Sequence, residues 1–203
     1  MLCLQVLALL TRIILLLRLC GFCHVAGKEG RASIKAADLS EFWRGQRNTT
    51  IMDPNILACP ERWDLLEQLV ASRAYVDFNQ GLDIRLADKD VADLLGKMRI
   101  ERLHFAWDNP AEDLRPYFGR FSHWYRRKDP AKKGVYVLTN FNSTLEEDLA
   151  RVYALRDLGY SPYVMIYNKG QAPQEVRYLQ RWCNNRLIFK AQPDFSKYDP
   201  KRG

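Results

Sequence analysis

Cysteine is scarce in this chain, and the cysteines that are present follow no regular spacing. The 203 residues contain five, at Cys3, Cys20, Cys23, Cys59 and Cys183. Small secreted proteins that depend on disulfides carry more cysteines in a shorter chain, so this count argues against a disulfide framework. We therefore expect a reducing compartment and a cytoplasmic protein.

A long uninterrupted apolar run is also missing. Residues 1–19 form an atypical apolar segment, but Arg12 and Arg18 interrupt it, and neither a basic start nor a small-x-small cleavage site flanks it. The segment is too short and too charged for a membrane span, so we expect no stable membrane insertion. A targeting signal is disfavoured, whereas a buried first strand or a stretch of corrupted sequence is favoured.

The composition is that of a globular protein. Hydrophobic residues make up 47% and charged residues 27% of the chain, which excludes a disordered protein. A mass of 23.7 kDa fits one domain with a sizeable core. The net charge of +7 favours an anionic partner such as phosphate, nucleic acid or an acidic cofactor, and it is equally consistent with a basic protein without one.

Apolar runs rich in β-forming residues alternate with amphipathic stretches. The runs lie at 49–53, 74–78, 102–107, 135–139 and 162–167. Runs that are apolar throughout are typical of parallel strands covered on both faces. This rhythm predicts an α/β fold with a mostly parallel sheet, as an open doubly wound sheet or a full or partial barrel.

Helix signals lie between the runs. Apolar residues at i, i+3, i+4 and i+7 over 91–98 predict one helix with Asp88 as its N-cap. Ser143 and Glu146 fit a capping box that would begin another helix, and Gly159 would end it.

Polar residues cluster where the predicted strands end. The carboxyl ends of parallel strands share one edge of the sheet, where ligands bind in α/β folds. We therefore expect one pocket, lined by Asp53, Asn55, Gln80, Asp83, Arg85, Asp108 and Asn140. Turns and helix caps are the alternative, and Asp83 with Arg85 is alternatively a structural ion pair.

The stretch "RFSHWYRRKDPAKK" at 120–133 interleaves basic and aromatic residues. Such interleaving is typical of nucleic-acid binding, although an exposed solubilising loop gives the same pattern.

The motif "CGFC" at 20–23 and several later stretches resemble one known family, the radical SAM superfamily. The similar stretches include "CGFCHVAGKEG", "DPNILACP", "VDFNQGLDIRL", "FAWDNP", "VYVLTNFNST", "LRDLGYSPYVMIY" and "LQRWCNN". They occur in the same order as in an uncharacterised bacterial and phage group of that superfamily. The resemblance defines a domain over 20–190, followed by a tail at 191–203.

The resemblance implies a partial (β/α) barrel, a [4Fe–4S] cluster and S-adenosylmethionine. The family holds the cluster with three thiolates spaced C-x3-C-x2-C, and the fourth iron chelates S-adenosylmethionine for reductive cleavage. It would assign Cys20 and Cys23 to the cluster, Phe22 to packing near the adenine, and Asp53 and Asn55 to the methionyl amino group. The remaining edge residues would line the pocket for an unknown substrate, and an electron donor would be needed.

The chain departs from the family pattern at one position. The first cluster cysteine should stand four residues before Cys20, where Leu16 stands instead, and Cys3 lies thirteen positions earlier still. Leucine cannot bind iron, so the resemblance implies an impaired site or an error in the sequence.

Two other interpretations stay open. One is a non-enzymatic α/β protein that binds nucleic acid or another anion through 120–133. Cys20 and Cys23 would then bind zinc or pack, with Cys59 as the further zinc ligand that can be named, although Cys59 and Cys183 are most simply buried packing residues. The other is a thioredoxin-like redox role for C-x-x-C, which is disfavoured because no helix signal follows directly. His104, within a strand run, is expected to be a core residue.

Overall fold

The computed structural model describes residues 5–8, 11–15, 31–53, 55–127 and 129–201. The described strands are β1 (Gln5–Ala8), β2 (Thr11–Leu15), β3 (Arg31–Lys35), β4 (Asn48–Ile51), β5 (Tyr75–Leu82), β6 (Arg99–Ala106), β7 (Lys133–Thr139) and β8 (Ser161–Ile166). Six of them form one parallel sheet in the order β1-β4-β5-β6-β7-β8, and β2 pairs with β3 in a separate antiparallel ribbon. All five predicted strands are confirmed, and the N-terminal segment supplies a sixth.

The described helices are α1 (Leu39–Phe42), α2 (Arg62–Ser72), α3 (Lys89–Lys97), α4 (Arg115–Trp124), α5 (Leu145–Asp157), α6 (Gln174–Asn184) and α7 (Arg186–Ala191). As predicted, Asp88 caps α3, because its side chain accepts a hydrogen bond from the Val91 backbone N–H at 2.9 Å. The capping box predicted at Ser143 is wrong by one residue. Thr144 and Glu147 form it instead, and thereby fix the start of α5.

One face of the sheet packs against the helices and forms the core. Val76, Phe78 and Phe105 point from the strands into the same buried cluster as Leu65 of α2 and Leu95 of α3. Consecutive side chains of a strand point to opposite faces, so their neighbours lie on the other side.

In the described part of the chain, no layer of helices covers the second face of β5–β8 in the same way. Asp77, His104 and Tyr136 are only partly buried there, and Tyr163 and Met165 are 47% and 46% exposed. The expectation that the strands are covered on both faces is therefore wrong for β8, whereas on β5–β7 the side chains of this face are partly buried. Parallel strands placed side by side in chain order, with helices packed on one face, are the arrangement of a partial (β/α) barrel. The predicted fold class is thus confirmed.

Residues of the predicted C-terminal tail contribute to a second, smaller core. Phe195 and Tyr198 pack near Trp182 of α6, and the Trp182 indole N–H donates to the Gln192 carbonyl at 2.7 Å. None of the helices in the described part of the chain is long and apolar enough to cross a membrane.

Candidate functional site

The loops after β4 and β5 meet at the carboxyl edge of the sheet. The Asp83 backbone N–H donates to Oδ1 of Asn55 at 3.3 Å, which links the two loops. Asn55 also stands at the start of a single 3₁₀ turn that leads to α2. Two of the predicted pocket residues are therefore neighbours in space.

Arg85 joins the loop after β5 to the loop after β6. Its guanidinium donates through Nε and Nη2 to the two carboxylate oxygens of Asp83, both at 2.7 Å, and through Nη1 to Glu112 at 2.6 Å. The predicted alternative of a structural ion pair is thus confirmed. Because two carboxylates already engage this guanidinium, its main role in this arrangement is to hold the loops together.

Asp108, directly after β6, lies within the field of two arginines. Burial raises the pKa of its carboxyl to about 6, and the positive charges of Arg151 and Arg85 oppose that rise. Arg151 of α5 is 3% exposed and donates to the carbonyls of Trp107 and Leu138 at 2.6 and 2.8 Å. A carboxyl that titrates near neutral pH at a ligand-binding edge has the properties of a proton donor or acceptor.

The other predicted residues form none of the hydrogen bonds that join this cluster, or they lie outside the described residues. Asp53 is 2% exposed. Gln80 was expected to follow a strand but lies within β5, at an irregularity in its pairing with β6, and is exposed. Asn140 donates to the Tyr167 carbonyl at 2.8 Å and so ties β7 to β8. The cluster ligands Cys20 and Cys23, together with Phe22, lie outside the described residues.

Metal-binding side chains do not gather in the described part of the chain, where no group of three or more His, Cys, Asp or Glu residues could hold an ion. Cys59 and Cys183 are buried, as predicted. The Cys59 thiol donates to Glu61 at 3.1 Å, and burial raises the pKa of this thiol to about 11. This thiol is therefore enclosed in the core and already engaged by a neighbouring carboxylate.

The open face of the sheet carries a second cluster, which the sequence analysis missed. The His104 ring stacks on Tyr136 with centroids 5.1 Å apart, and its Nδ1 lies 3.1 Å from the Phe78 carbonyl oxygen. Oδ1 of Asp77 is 3.6 Å from that Nδ1 and has no hydrogen-bond partner among the described residues. Burial raises the pKa of Asp77 and lowers the pKa of His104, so each is shifted toward its neutral form.

A period-two pattern would have pointed to this cluster. In 75–79 the polar Asp77 and Asn79 alternate with Val76 and Phe78, which is the signature of a strand with one face uncovered. His104 was expected in the core. It instead lies on the second face of the sheet, partly buried, one position before the buried Phe105.

Segment 120–133 buries two of its aromatic residues and leaves two others at least partly exposed. Phe121 and Tyr125 are 0% and 3% exposed. Arg127 donates to the carbonyls of Gly96 and Met98 beside the start of β6, at 3.2 and 2.7 Å. Buried rings cannot stack on bases, so the half-buried Trp124, the exposed His123 and the exposed arginines of this segment remain for an anionic partner.

Comparison of the chain with protein-family models, with curated proteins and with solved structures finds no match. The geometry of the described residues defines the candidate site as two clusters. One lies at the carboxyl edge and contains Asn55, Asp83, Arg85 and Asp108; the other lies on the open face and contains Asp77, His104 and Tyr136.

Proposed function

We propose that this chain is a radical SAM-type iron–sulfur protein whose cluster site is impaired in this copy. Such proteins reductively cleave S-adenosylmethionine to start radical chemistry, here on an unidentified substrate. The topology carries the proposal, because parallel strands stand side by side in chain order. Asn55, Asp83 and Asp108 lie at the carboxyl edge, which is also the edge at which the parallel strand β1 ends, and the proposal assigns the loop of Cys20 and Cys23 to it.

The ligand set of this chain does not fit a complete cluster. Cys20 and Cys23 supply two thiolates, whereas the family arrangement needs a third at the position of Leu16. Cys59 and Cys183 are not expected to replace it, because both are buried and their thiols already donate to Glu61 and to the Pro162 carbonyl respectively. With one thiolate fewer, a second iron lacks its protein ligand, and the cluster is expected to bind weakly.

The described residues have roles that do not require the cluster. Asn55, Asp83, Arg85 and Glu112 hold three loops in one arrangement at the carboxyl edge, where the proposal requires a pocket. Asp108 is poised to take up or release a proton near neutral pH. These properties suit the polar cofactor and the substrate that the proposal requires.

Iron content tests the proposal. The chain as it stands and Leu16→Cys would be purified, supplied with iron and sulfide without oxygen, and assayed for iron, sulfide and charge-transfer absorbance. We expect little iron in the first protein and about four irons per chain in Leu16→Cys, as a full [4Fe–4S] cluster requires. Leu17→Cys is the matched control, because it adds a thiol at the wrong spacing, and it should bind as little iron as the unchanged chain.

The alternative outcomes are distinct. About four irons in the unchanged chain would show that Leu16 is no defect and that another residue completes the site. Equal gains in Leu16→Cys and Leu17→Cys would mean that any extra thiol collects iron, and would remove the argument from spacing. If no version binds iron, the radical SAM proposal fails.

A further inference from the structure

Three aromatic rings form a row across the open face of β6, β7 and β8. His104 and Tyr136 stack with their planes 5° apart, and Tyr163, which is paired with Tyr136 in the sheet register, meets it edge-on at 6.0 Å. Tyr163 is 47% exposed. A row of rings on a sheet surface offers flat apolar surface to another flat group.

The backbone of β5 holds two of these rings in place. The Tyr136 hydroxyl donates to the Asn79 carbonyl at 3.2 Å, and Nδ1 of His104 lies 3.1 Å from the Phe78 carbonyl oxygen. Both carbonyls lie next to the irregular stretch of β5, between Phe78 and Leu82. Because the rings are already ordered, a ligand that stacks on them does not have to order them first.

The row opens into a basic groove beside the edge strand. A groove of about 780 Å³ runs between β8 and α6–α7, and Tyr163 is part of its wall. Four cations, Lys169, Arg177, Arg181 and Arg186, also line it, and the described lining residues include no carboxylate. Leu187, which is 81% exposed, adds apolar surface to the same wall.

The cations of the groove are not needed to satisfy the free backbone edge of β8. Gln180 and Asn184 already bond the Val164 backbone of β8, with the Asn184 side chain accepting from the N–H and both side chains donating to the carbonyl. Among the described residues, no hydrogen bond or ion pair engages the side chain of Lys169 or Arg186. The charges of Lys169 and Arg186 are therefore available to an anion.

We propose that the groove and the aromatic row together bind single-stranded nucleic acid. Phosphates would lie along the cations of the groove, and unpaired bases would stack on Tyr163 and the rings behind it. A basic groove that follows the backbone, combined with aromatic side chains that receive bases, is how proteins bind single strands without reading their sequence. The proposal does not depend on an iron–sulfur cluster, so its outcome is independent of the iron test above.

Fluorescence anisotropy with labelled oligonucleotides of about a dozen nucleotides tests the proposal. Oligo(dT) and oligo(rU) form two arms that distinguish DNA from RNA, and a duplex and inorganic polyphosphate serve as competitors. Binding is measured over a series of salt concentrations for the unchanged chain, Tyr163→Ala, Tyr163→Phe and the double variant Lys169→Glu, Arg186→Glu. Lys97→Glu is the control, because Lys97 is an exposed cation near Asp93 of α3 that lies outside segment 120–133 and does not line the groove.

The variants should separate stacking from charge. Tyr163→Ala is expected to weaken binding about tenfold without changing the salt dependence, and Tyr163→Phe should bind normally. The double variant should reduce the slope of log K against log salt by about 1.4, that is, about 0.7 for each lost phosphate contact. Circular dichroism confirms folding, and Tyr163→Leu replaces Tyr163→Ala if the latter does not fold.

Tighter binding of oligo(dT) or oligo(rU) than of the duplex supports the proposal. The oligonucleotide that binds more tightly shows whether the protein prefers DNA or RNA. Three results would overturn it: duplex or polyphosphate bound as tightly as the single strands, unchanged affinity after loss of the Tyr163 ring, or an equal loss from Lys97→Glu and the groove variant.

Discussion

Gly134 lies opposite His104 in the pairing of β6 with β7, and a β-carbon added to Gly134 would lie 2.8 Å from Cδ2 of the His104 ring. The missing side chain gives the ring the space in which it lies over β7 and stacks on Tyr136. The stacking of His104 on Tyr136 therefore requires a glycine at position 134, because a side chain there would occupy the space of the ring.

Gly134→Ala should displace the His104 ring. The ring has to move away from a contact that is too short, and it thereby loses its place beside the Phe78 carbonyl and on Tyr136. Overpacking of this kind costs about 1–3 kcal/mol of unfolding free energy. Nuclear magnetic resonance titration of the His104 ring should show its lowered pKa move toward the ordinary value, because the displaced ring is less buried.

Gly96→Ala is the matched control for that substitution. A β-carbon at Gly96 has open space around it, and the residue lies within α3, where alanine is the better helix former. The control should be neutral or slightly stabilising. A stable Gly134→Ala protein with an unchanged His104 titration would show that the ring is not confined by Gly134.

Arg151→Met should strongly destabilise the fold. Arg151 and its ion-pair partner Asp148 are 3% and 1% exposed, and the guanidinium also satisfies the Trp107 and Leu138 carbonyls. Removal of one partner leaves a buried charge and two carbonyls unpaired, which costs about 3–5 kcal/mol in urea unfolding. The double variant Arg151→Met, Asp148→Leu should recover part of this loss. Arg115→Met, which breaks the exposed pair with Asp113, should change little, and an equal effect of both arginines would refute the argument.

The fold was more predictable than the site because the evidence for it is local. Apolar runs mark β5–β8 to within a few residues, and Asp88 marks the start of α3. The pairing of β2 with β3, and the bridge from Arg85 to Glu112, join residues distant in sequence, and no local pattern predicts them. The row from His104 to Tyr163 likewise depends on the register of three strands, although the alternation around Asp77 was visible.

Native thiol labelling should spare two of the five cysteines. Cys59 and Cys183 are 0% and 3% exposed, and burial raises their thiol pKa values to about 11 and about 12. At about pH 7, roughly one Cys59 thiol in ten thousand is therefore the reactive thiolate. Iodoacetamide followed by peptide mass spectrometry should find both residues unmodified in the native protein and modified in urea. Rapid native labelling of Cys59 would return it to the candidate metal ligands.

Asp108→Asn should stabilise the protein at neutral pH but not in acid. Burial raises the pKa of Asp108 from 3.8 to about 6, so the folded state binds this proton more tightly than the unfolded chain. The contribution of this bound proton to the free energy of unfolding is fully present below about pH 4 and is lost as the pH rises to about 6. Asparagine does not ionise, so we expect the variant to gain about 1–3 kcal/mol over the unchanged chain by about pH 7, and almost nothing near pH 4.

Urea unfolding at a series of pH values measures that difference, and taking it between variant and parent cancels other titrating groups. His104 is one such group, because its lowered pKa makes stability rise with pH below about 6.5. Asp113→Asn is the control of opposite sign. Arg115 lowers the pKa of Asp113 from its ordinary value of 3.8. The ionised Asp113 therefore contributes to the free energy of unfolding above about pH 3.8, and this contribution is lost as the pH falls through the lower folded-state pKa. If Asp108→Asn raises the free energy of unfolding by the same amount at acid and at neutral pH, the substitution acts through packing. The Asp108 carboxyl would then not be the group that titrates at the edge of the sheet.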